Sequence, residues 1–200
     1  MKELFDKSAF GCSKLVTKLY STSFTLGIRT LHKRYRDPIY GIYGYVRYAD
    51  EIVDTFHDKP KARLLAEFRE ETFKAIALGL SMNPIIHAFQ KVVNEFNIDH
   101  ALIEQFLHSM EMDLDYSKYN DDLYDHYIYG SAEVVGLMCL YVFVGGDKAH
   151  YKQLESGACK LGAAFQKVNF LRDMKADYEE RGRVYFPGVD FTTFDNDAKH

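Results

Sequence analysis

The segment Ile39 to Phe56, IYGIYGYVRYADEIVDTF, constrains the fold more than any other part of the chain. It is apolar on nearly every side, which suits a helix only when protein surrounds it, so it is read as a central, buried helix. The rest of the sequence has to supply the layers around it, and helix signals dominate there. Alternating β-branched runs bounded by turn pairs are missing, so strands are not expected. Pro38, Pro60 and Pro84 each precede an apolar-periodic run and are read as helix starts. Leu64, Phe68, Ile76 and Leu80 recur at multiples of four, and Leu102, Ile103, Phe106, Leu107, Met110 and Leu114 keep the helical period. Further helices are expected at about 3–20, 38–56, 84–95, 121–144 with a break near Gly130 or Gly136, and 148–180, with Gly145-Gly146 as a stop. The sum is one all-α bundle without internal repeat or linker. Residues 1–187 form the helical domain and 188–200 an irregular tail.

Composition narrows the function. A net charge of -4 and a pI near 6.1 argue against a general nucleic-acid binder, so any bound anion is held locally. Cys12, Cys139 and Cys159 show no metal or disulfide spacing and read as reduced thiols of a cytoplasmic protein. The longest uncharged apolar stretch, Val134 to Gly146, is too short to cross a bilayer and reads as core. The N-terminus has no block of signal-peptide type. Tyr and Phe number 15 each with no Trp, more aromatic surface than a core requires, and these rings could line a pocket.

Carboxylates carry the chemistry. Tyr43, Arg47, Asp50 and Asp54 share one face of the central helix, with the two aspartates a turn, or about 6 Å, apart. At an effective dielectric of about 20 such a pair repels by roughly 3 kcal/mol, so a buried stripe of this kind wants a cation. Gln166, Asn169, Asp173 and Asp177 repeat the pattern on a second helix, whose neighbours Leu161, Ala164, Phe165, Val168, Phe170 and Leu171 are apolar and read as packed. Oxygen donors without Cys or His at ligand spacing favour a hard cation, Mg²⁺ or Mn²⁺, which shares its shell with substrate phosphates. The implied ligand is a diphosphate. The plainer alternative is a pair of buried acids salt-bridged to Arg47.

The runs Tyr43 to Asp54 (YGYVRYADEIVD), Gln166 to Asp177 (QKVNFLRDMKAD) and Arg181 to Pro187 (RGRVYFP), with Ser21 to Phe24 (STSF) upstream, resemble the squalene and phytoene synthase family, bacterial phytoene synthases above all. The similarity spans nearly the whole chain. It implies a prenyl (terpenoid) synthase helical bundle around a central cavity that takes two allylic prenyl diphosphates. By that resemblance Asp50, Asp54, Asp173 and Asp177, with Tyr43 and Arg47, are catalytic. Asp50, Asp54, Asn169, Asp173 and Asp177 hold metal. Ser21, Phe24, Tyr127, Tyr129, Gln166, Asn169, Arg183 and Tyr185 bind substrate, and Phe24, Tyr43, Tyr127 and Tyr129 present aromatic faces to carbocations. The implied reaction joins two geranylgeranyl diphosphates head to head through a cyclopropylcarbinyl diphosphate to phytoene. A squalene-forming or dehydrosqualene-forming use of farnesyl diphosphate is the alternative, and NADPH enters only if squalene is formed. Peripheral contact with a membrane for product release, and the oligomeric state, stay open.

Departures are as informative. Glu133 stands where relatives carry Gly, and either faces out or narrows the cavity; Asp50-Glu51 replaces the common Asp-Asp. The chain stops soon after Tyr185-Phe186-Pro187, whereas the family continues through further helices, so the natural chain is expected to be longer and an apolar stripe to lie uncovered. A di-iron oxidase would need paired Glu-x-x-His motifs that are missing here. A non-catalytic scaffold of the same fold is the remaining rival, and the intact aspartates argue against it.

Overall fold

A computed structural model of the chain describes residues 1–114 and 121–181, excepting the side chains of 121–123 and 176–181. Among the described residues every regular element is helical: α1 (Lys2–Tyr20), α2 (Thr22–Thr30), α3 (Lys33–Asp54), α4 (Lys61–Leu78), α5 (Pro84–Phe96), α6 (His100–Met112), α7 (Asp121–Ile128), α8 (Val134–Phe143) and α9 (Lys148–Arg181). A single π-turn, Tyr129–Glu133, joins α7 to α8. Among these residues no helix is long and apolar enough to cross a membrane.

α3 is the axis of the bundle, packed against α1, α2, α4, α5, α6 and α8. Its Tyr45 is wholly buried, lies 3.7 Å from the Phe89 ring at 7° and 5.0 Å from the Phe68 ring at 24°, and its hydroxyl is hydrogen-bonded to that of Thr72 at 3.2 Å. The aromatic abundance of the sequence is therefore spent partly on this stacked core, where offset rings add to simple area burial. Gly44 allows α3 to approach α1 closely, because a Cβ there would sit 2.9 Å from the Cβ of Ser13 on α1. α1 is also pinned to α5: Asp6 takes the His87 ring nitrogen at 2.8 Å and the Lys91 ammonium at 2.7 Å, and these hydrogen bonds hold its carboxyl below the usual range.

Three expectations need correction. Pro38 does not start α3 but lies inside it; the helix begins at Lys33, so the basic residues Lys33, Arg34 and Arg36 fall in its first turn, with the His32 ring accepting from the Arg34 N–H at 3.4 Å. Lacking an N–H, Pro38 removes one ladder bond, a loss that packing of its buried ring and of Ile39 and Tyr40 offsets. Pro84 does occupy the first turn of α5, capped by Asn83, and Pro60 immediately precedes α4. Leu80 lies beyond α4, which Gly79 ends at φ 71°. On α9, Leu161, Phe165, Val168 and Leu171 are exposed rather than packed, because α8 and the π-turn cover only the opposite side of that helix.

Candidate active site

The predicted stripe on α3 is real, and its members have distinct surroundings. Arg47 stacks its guanidinium 4.4 Å over the Tyr20 ring at the end of α1 and is paired with Glu51, which also accepts from the Thr55 hydroxyl at 2.7 Å. Its Nη1 is 3.9 Å from Asp50, and its Nε is buried without a partner. Glu51 thus takes the guanidinium that the plainer alternative, a salt bridge to the aspartates, would have used. Asp50 is crowded by protein yet keeps 31% of its side-chain surface. Burial pushes its carboxyl up to about 8; Arg47 opposes that shift, while Asp54, Asp113 and Glu51 add to it.

Tyr43 lies a turn earlier. Its ring is 5.1 Å from that of Phe24, and its hydroxyl, raised in pKa by burial, is hydrogen-bonded to Ser21. Ser21 is extended and caps α2 by accepting from the Phe24 N–H at 3.2 Å, which turns Phe24 towards α3. Ser21, Phe24 and Tyr43, three residues read separately from sequence, are therefore one contact group.

Asp113 was not singled out by the sequence. It caps the end of α6, is buried, and accepts from the Tyr127 hydroxyl at 2.9 Å. Tyr127 in turn stacks on Phe170 of α9, with ring centres 6.2 Å apart at 27°. Phe170 precedes Asp173 by one turn, so Asp113, Tyr127 and Phe170 form a chain of contacts from α6 to α9, with Asp113 near enough to Asp50 to help raise its carboxyl. The π-turn that follows Tyr127 packs tightly on α6: a Cβ at Gly130 would meet the Ser109 Cβ at 2.7 Å and the Gln105 carbonyl at 2.9 Å. Tyr129, two residues on, sits in other company, with Cys159, Glu133, Glu155 and Asp99 as its charged and polar surroundings. Glu133 is half-buried beside Cys159 of α9, whose thiol is pushed up to about 11 by burial and by this carboxylate.

On α9, Gln166 and Asn169 are half-buried on the packed side, and Asp173 accepts from Arg172 Nε at 2.8 Å and Nη2 at 2.6 Å. The side chains of Asp177, Arg183 and Tyr185 lie outside the described residues. Among the described residues no three acidic, His or Cys side chains gather into a cage for an ion. Mg²⁺ is usually held by one or two carboxylates together with water and substrate phosphate. The Asp50 carboxyl, raised by burial and further by Asp54 and Asp113, is a donor of the kind such a cation takes.

A family model described as squalene/phytoene synthase matches residues 17–200. Phytoene synthase 1 of Arabidopsis thaliana is 34% identical over 92% of this chain and 43% of its own length, and phytoene synthase of Arthrospira platensis is 30% identical over 90% and 61%. The chain spans about half the length of such relatives. A solved dehydrosqualene synthase in complex with a ligand superposes with a TM-score of 0.81 at 26% identity, covering 94% of this chain and 64% of that one. Squalene synthase HpnC from Alicyclobacillus acidocaldarius shares the fold, with a TM-score of 0.78 at 20% identity. With its paired aspartate helices, its helical bundle and a family match over nearly its whole length, the chain belongs to the squalene/phytoene synthase family.

Proposed function

We propose that the chain performs head-to-head prenyl transfer, joining two geranylgeranyl diphosphates to phytoene with release of both diphosphates. The observation that carries this reading is the α3 stripe: a carboxyl at Asp50 raised by burial and further by Asp54 and Asp113, beside an arginine that Glu51 and Tyr20 hold in place. The relatives named phytoene synthase support the C20 substrate over the C15 one.

In the first half-reaction the C1–O bond of one substrate breaks and its electron pair leaves with the diphosphate. The allylic cation then alkylates the C2–C3 double bond of the second substrate, and loss of a proton closes the cyclopropane. In the second half the remaining diphosphate leaves, the skeleton rearranges and a further proton is lost. Asp50 and Asp54, with Asn169, Asp173 and Asp177, would hold Mg²⁺, which would supply charge neutralisation for the leaving diphosphate. Arg47 adds a fixed positive charge at the same end. Phe24, Tyr43 and Tyr127 offer ring faces to the cations, and the stacking of Tyr127 on Phe170 fixes one such face. Gln166, Arg183 and Tyr185 are assigned to substrate binding, as is Tyr129 from its own side of α9.

The test is incubation of the chain with geranylgeranyl or farnesyl diphosphate and Mg²⁺, with and without NADPH, and identification of the hydrocarbon. Phytoene from the C20 substrate without NADPH is expected. Squalene or dehydrosqualene from the C15 substrate would move the assignment to the shorter chain. Diphosphate binding without release from either substrate would leave a helical scaffold of the same fold.

A further inference from the structure

Asp54 is the last residue of α3, and a helix end is where backbone geometry is least secured: its final carbonyls have no partner within the helix, and the terminal turn frays. A carboxylate that must hold a cation at a fixed distance from Asp50 is poorly placed there unless something closes the turn. Two neighbouring helices use left-handed stops. α4 stops at Gly79 with φ 71° and α5 at Asn97 with φ 52°, and in each the N–H of that residue turns back onto a carbonyl of the last turn. α3 has no such stop. Thr55 follows Asp54 at φ -106° in a right-handed conformation, and the last turn of α3 contains no basic residue.

Closure comes from the next helix instead. Lys61, the first residue of α4, extends its ammonium back across the connection and donates to the Val53 carbonyl at 2.7 Å. A second donation goes to His57 Nδ1 at 3.2 Å; an ammonium has no acceptor, so the exposed ring accepts and steadies the half-buried lysine. The base of this arm is firm, because Leu65 and Phe68 of α4 are buried in the core. A cation at the C-terminal end of a helix is favoured by the helix dipole as well as by the hydrogen bond. The Val53 carbonyl belongs to the planar peptide group whose nitrogen is that of Asp54, so the bond from Lys61 fixes the unit from which the Asp54 side chain departs. Beside it the Thr55 N–H reaches the Glu51 carbonyl at 3.0 Å and completes the turn.

We propose that Lys61 is a positioning residue for Asp54: by holding the Val53–Asp54 peptide it keeps that carboxylate in reach of the cation shared with Asp50, and so sets how much Mg²⁺ the site needs. The proposal rests on the assignment of Asp54 to metal, and its test separates the two.

The test is calorimetric titration of the full chain with inorganic diphosphate at limiting and at saturating Mg²⁺, which involves no turnover. Lys61→Met keeps the length of the side chain but removes its charge and donors. It should weaken diphosphate binding about fivefold at limiting Mg²⁺ and leave it as in wild type at saturating Mg²⁺. Lys61→Arg, which can still donate to the carbonyl, should stay within about twofold of wild type. Lys59→Met makes the same charge change at an exposed neighbour and should bind as wild type. Beside Asp54→Asn, Lys61→Met should add nothing further. Hydrogen exchange at the Thr55 amide should be at least about threefold faster in Lys61→Met, with circular dichroism checking that each variant is folded. Equal binding by wild type and Lys61→Met at limiting Mg²⁺ overturns the proposal, as does an unchanged exchange rate at Thr55. So does a loss of the same size at both Mg²⁺ levels, which would mean that the lysine meets diphosphate directly, or a loss that persists beside Asp54→Asn. If Asp54→Asn alone binds as wild type at limiting Mg²⁺, the assignment of Asp54 to metal falls, and the role of Lys61 falls with it.

Discussion

Replacing Asp50 by Asn removes the most perturbed carboxyl of the site and should change how stability depends on pH. The folded-state pKa is raised from 3.8 to about 8, chiefly by burial. A raised pKa means that the folded chain holds its proton more tightly than the unfolded chain. The contribution is therefore full below about pH 4, is lost as pH rises through the folded value, and is flat above it. At 1.36 kcal/mol per unit the gap would amount to about 6 kcal/mol. Asp50 keeps 31% of its side-chain surface, so solvent screening reduces this to about 3 kcal/mol. The chain has no Trp, so urea unfolding followed by circular dichroism at 222 nm is the suitable assay. With a urea slope of about 2 kcal/mol per molar, wild type should lose about 1.5 M in midpoint relative to Asp50→Asn between pH 4.5 and 8.5. The comparison with the variant cancels the eight histidines common to both chains. Mg²⁺ should narrow the gap at the alkaline end, since a bound cation favours the ionised carboxylate. Parallel curves for the two chains, within about 0.5 kcal/mol, would refute the crowded Asp50 carboxyl described above.

Asp54→Asn and Asp177→Asn should each lower turnover by at least about a hundredfold at limiting Mg²⁺ while melting temperature holds or rises, which a hydrocarbon assay and a thermal scan check together; full activity would remove these residues from the metal bridge. Glu51→Gln weakens the hold on Arg47, so calorimetric titration with inorganic diphosphate should give an affinity about tenfold weaker, and an unchanged affinity would show that Arg47 needs no such support. Tyr127→Phe keeps the stack on Phe170 but withdraws one donor from buried Asp113, which should cost about 1–2 kcal/mol in urea unfolding; a smaller change would mean that water takes its place.

How much of the fold the sequence discloses differs from helix to helix. The long amphipathic stretches α1, α4, α5 and α6 are plain from periodicity, and α8 from the apolar run that ends at Gly145-Gly146. α2 is not, because only Ile28 of its nine residues is buried and no stripe marks it. Its one legible sign is Ser21, whose side chain accepts the N–H of Phe24 in the manner of a helix cap. α3 is placed correctly but started late, since proline at a helix start is a preference that burial of Pro38 against the core overrides. α9 exposes the weakness of reading apolar residues as packed: it has a half-buried polar side with Gln166, Asn169 and Asp173 and an exposed apolar one, so hydrophobicity alone would turn the helix the wrong way.

The candidate site was legible where it repeats and illegible where it does not. Asp50 and Asp54 announce themselves through spacing, and Asp173 echoes them. Asp113 belongs to no repeat, and its partner Tyr127 comes from the next helix. Yet its position did contain a signal. Phe106, Met110 and Asp113 fall on one face of α6, the buried one, so a carboxylate occupies the place of the next apolar residue in the stripe. An acid in that register must either be neutralised or serve a purpose, because burying an unpaired charge is costly. Here the Tyr127 hydroxyl meets part of that cost, while Asp113 remains close enough to Asp50 to raise its pKa. Replacing it by Asn should accordingly bring the Asp50 carboxyl back towards its ordinary range and flatten the pH dependence of stability in the same sense as Asp50→Asn, though by less, since Asp113 is a lesser cause than burial. Urea midpoints for Asp113→Asn across the same pH range decide it, and a slope as steep as that of wild type would remove Asp113 from the electrostatics of the site.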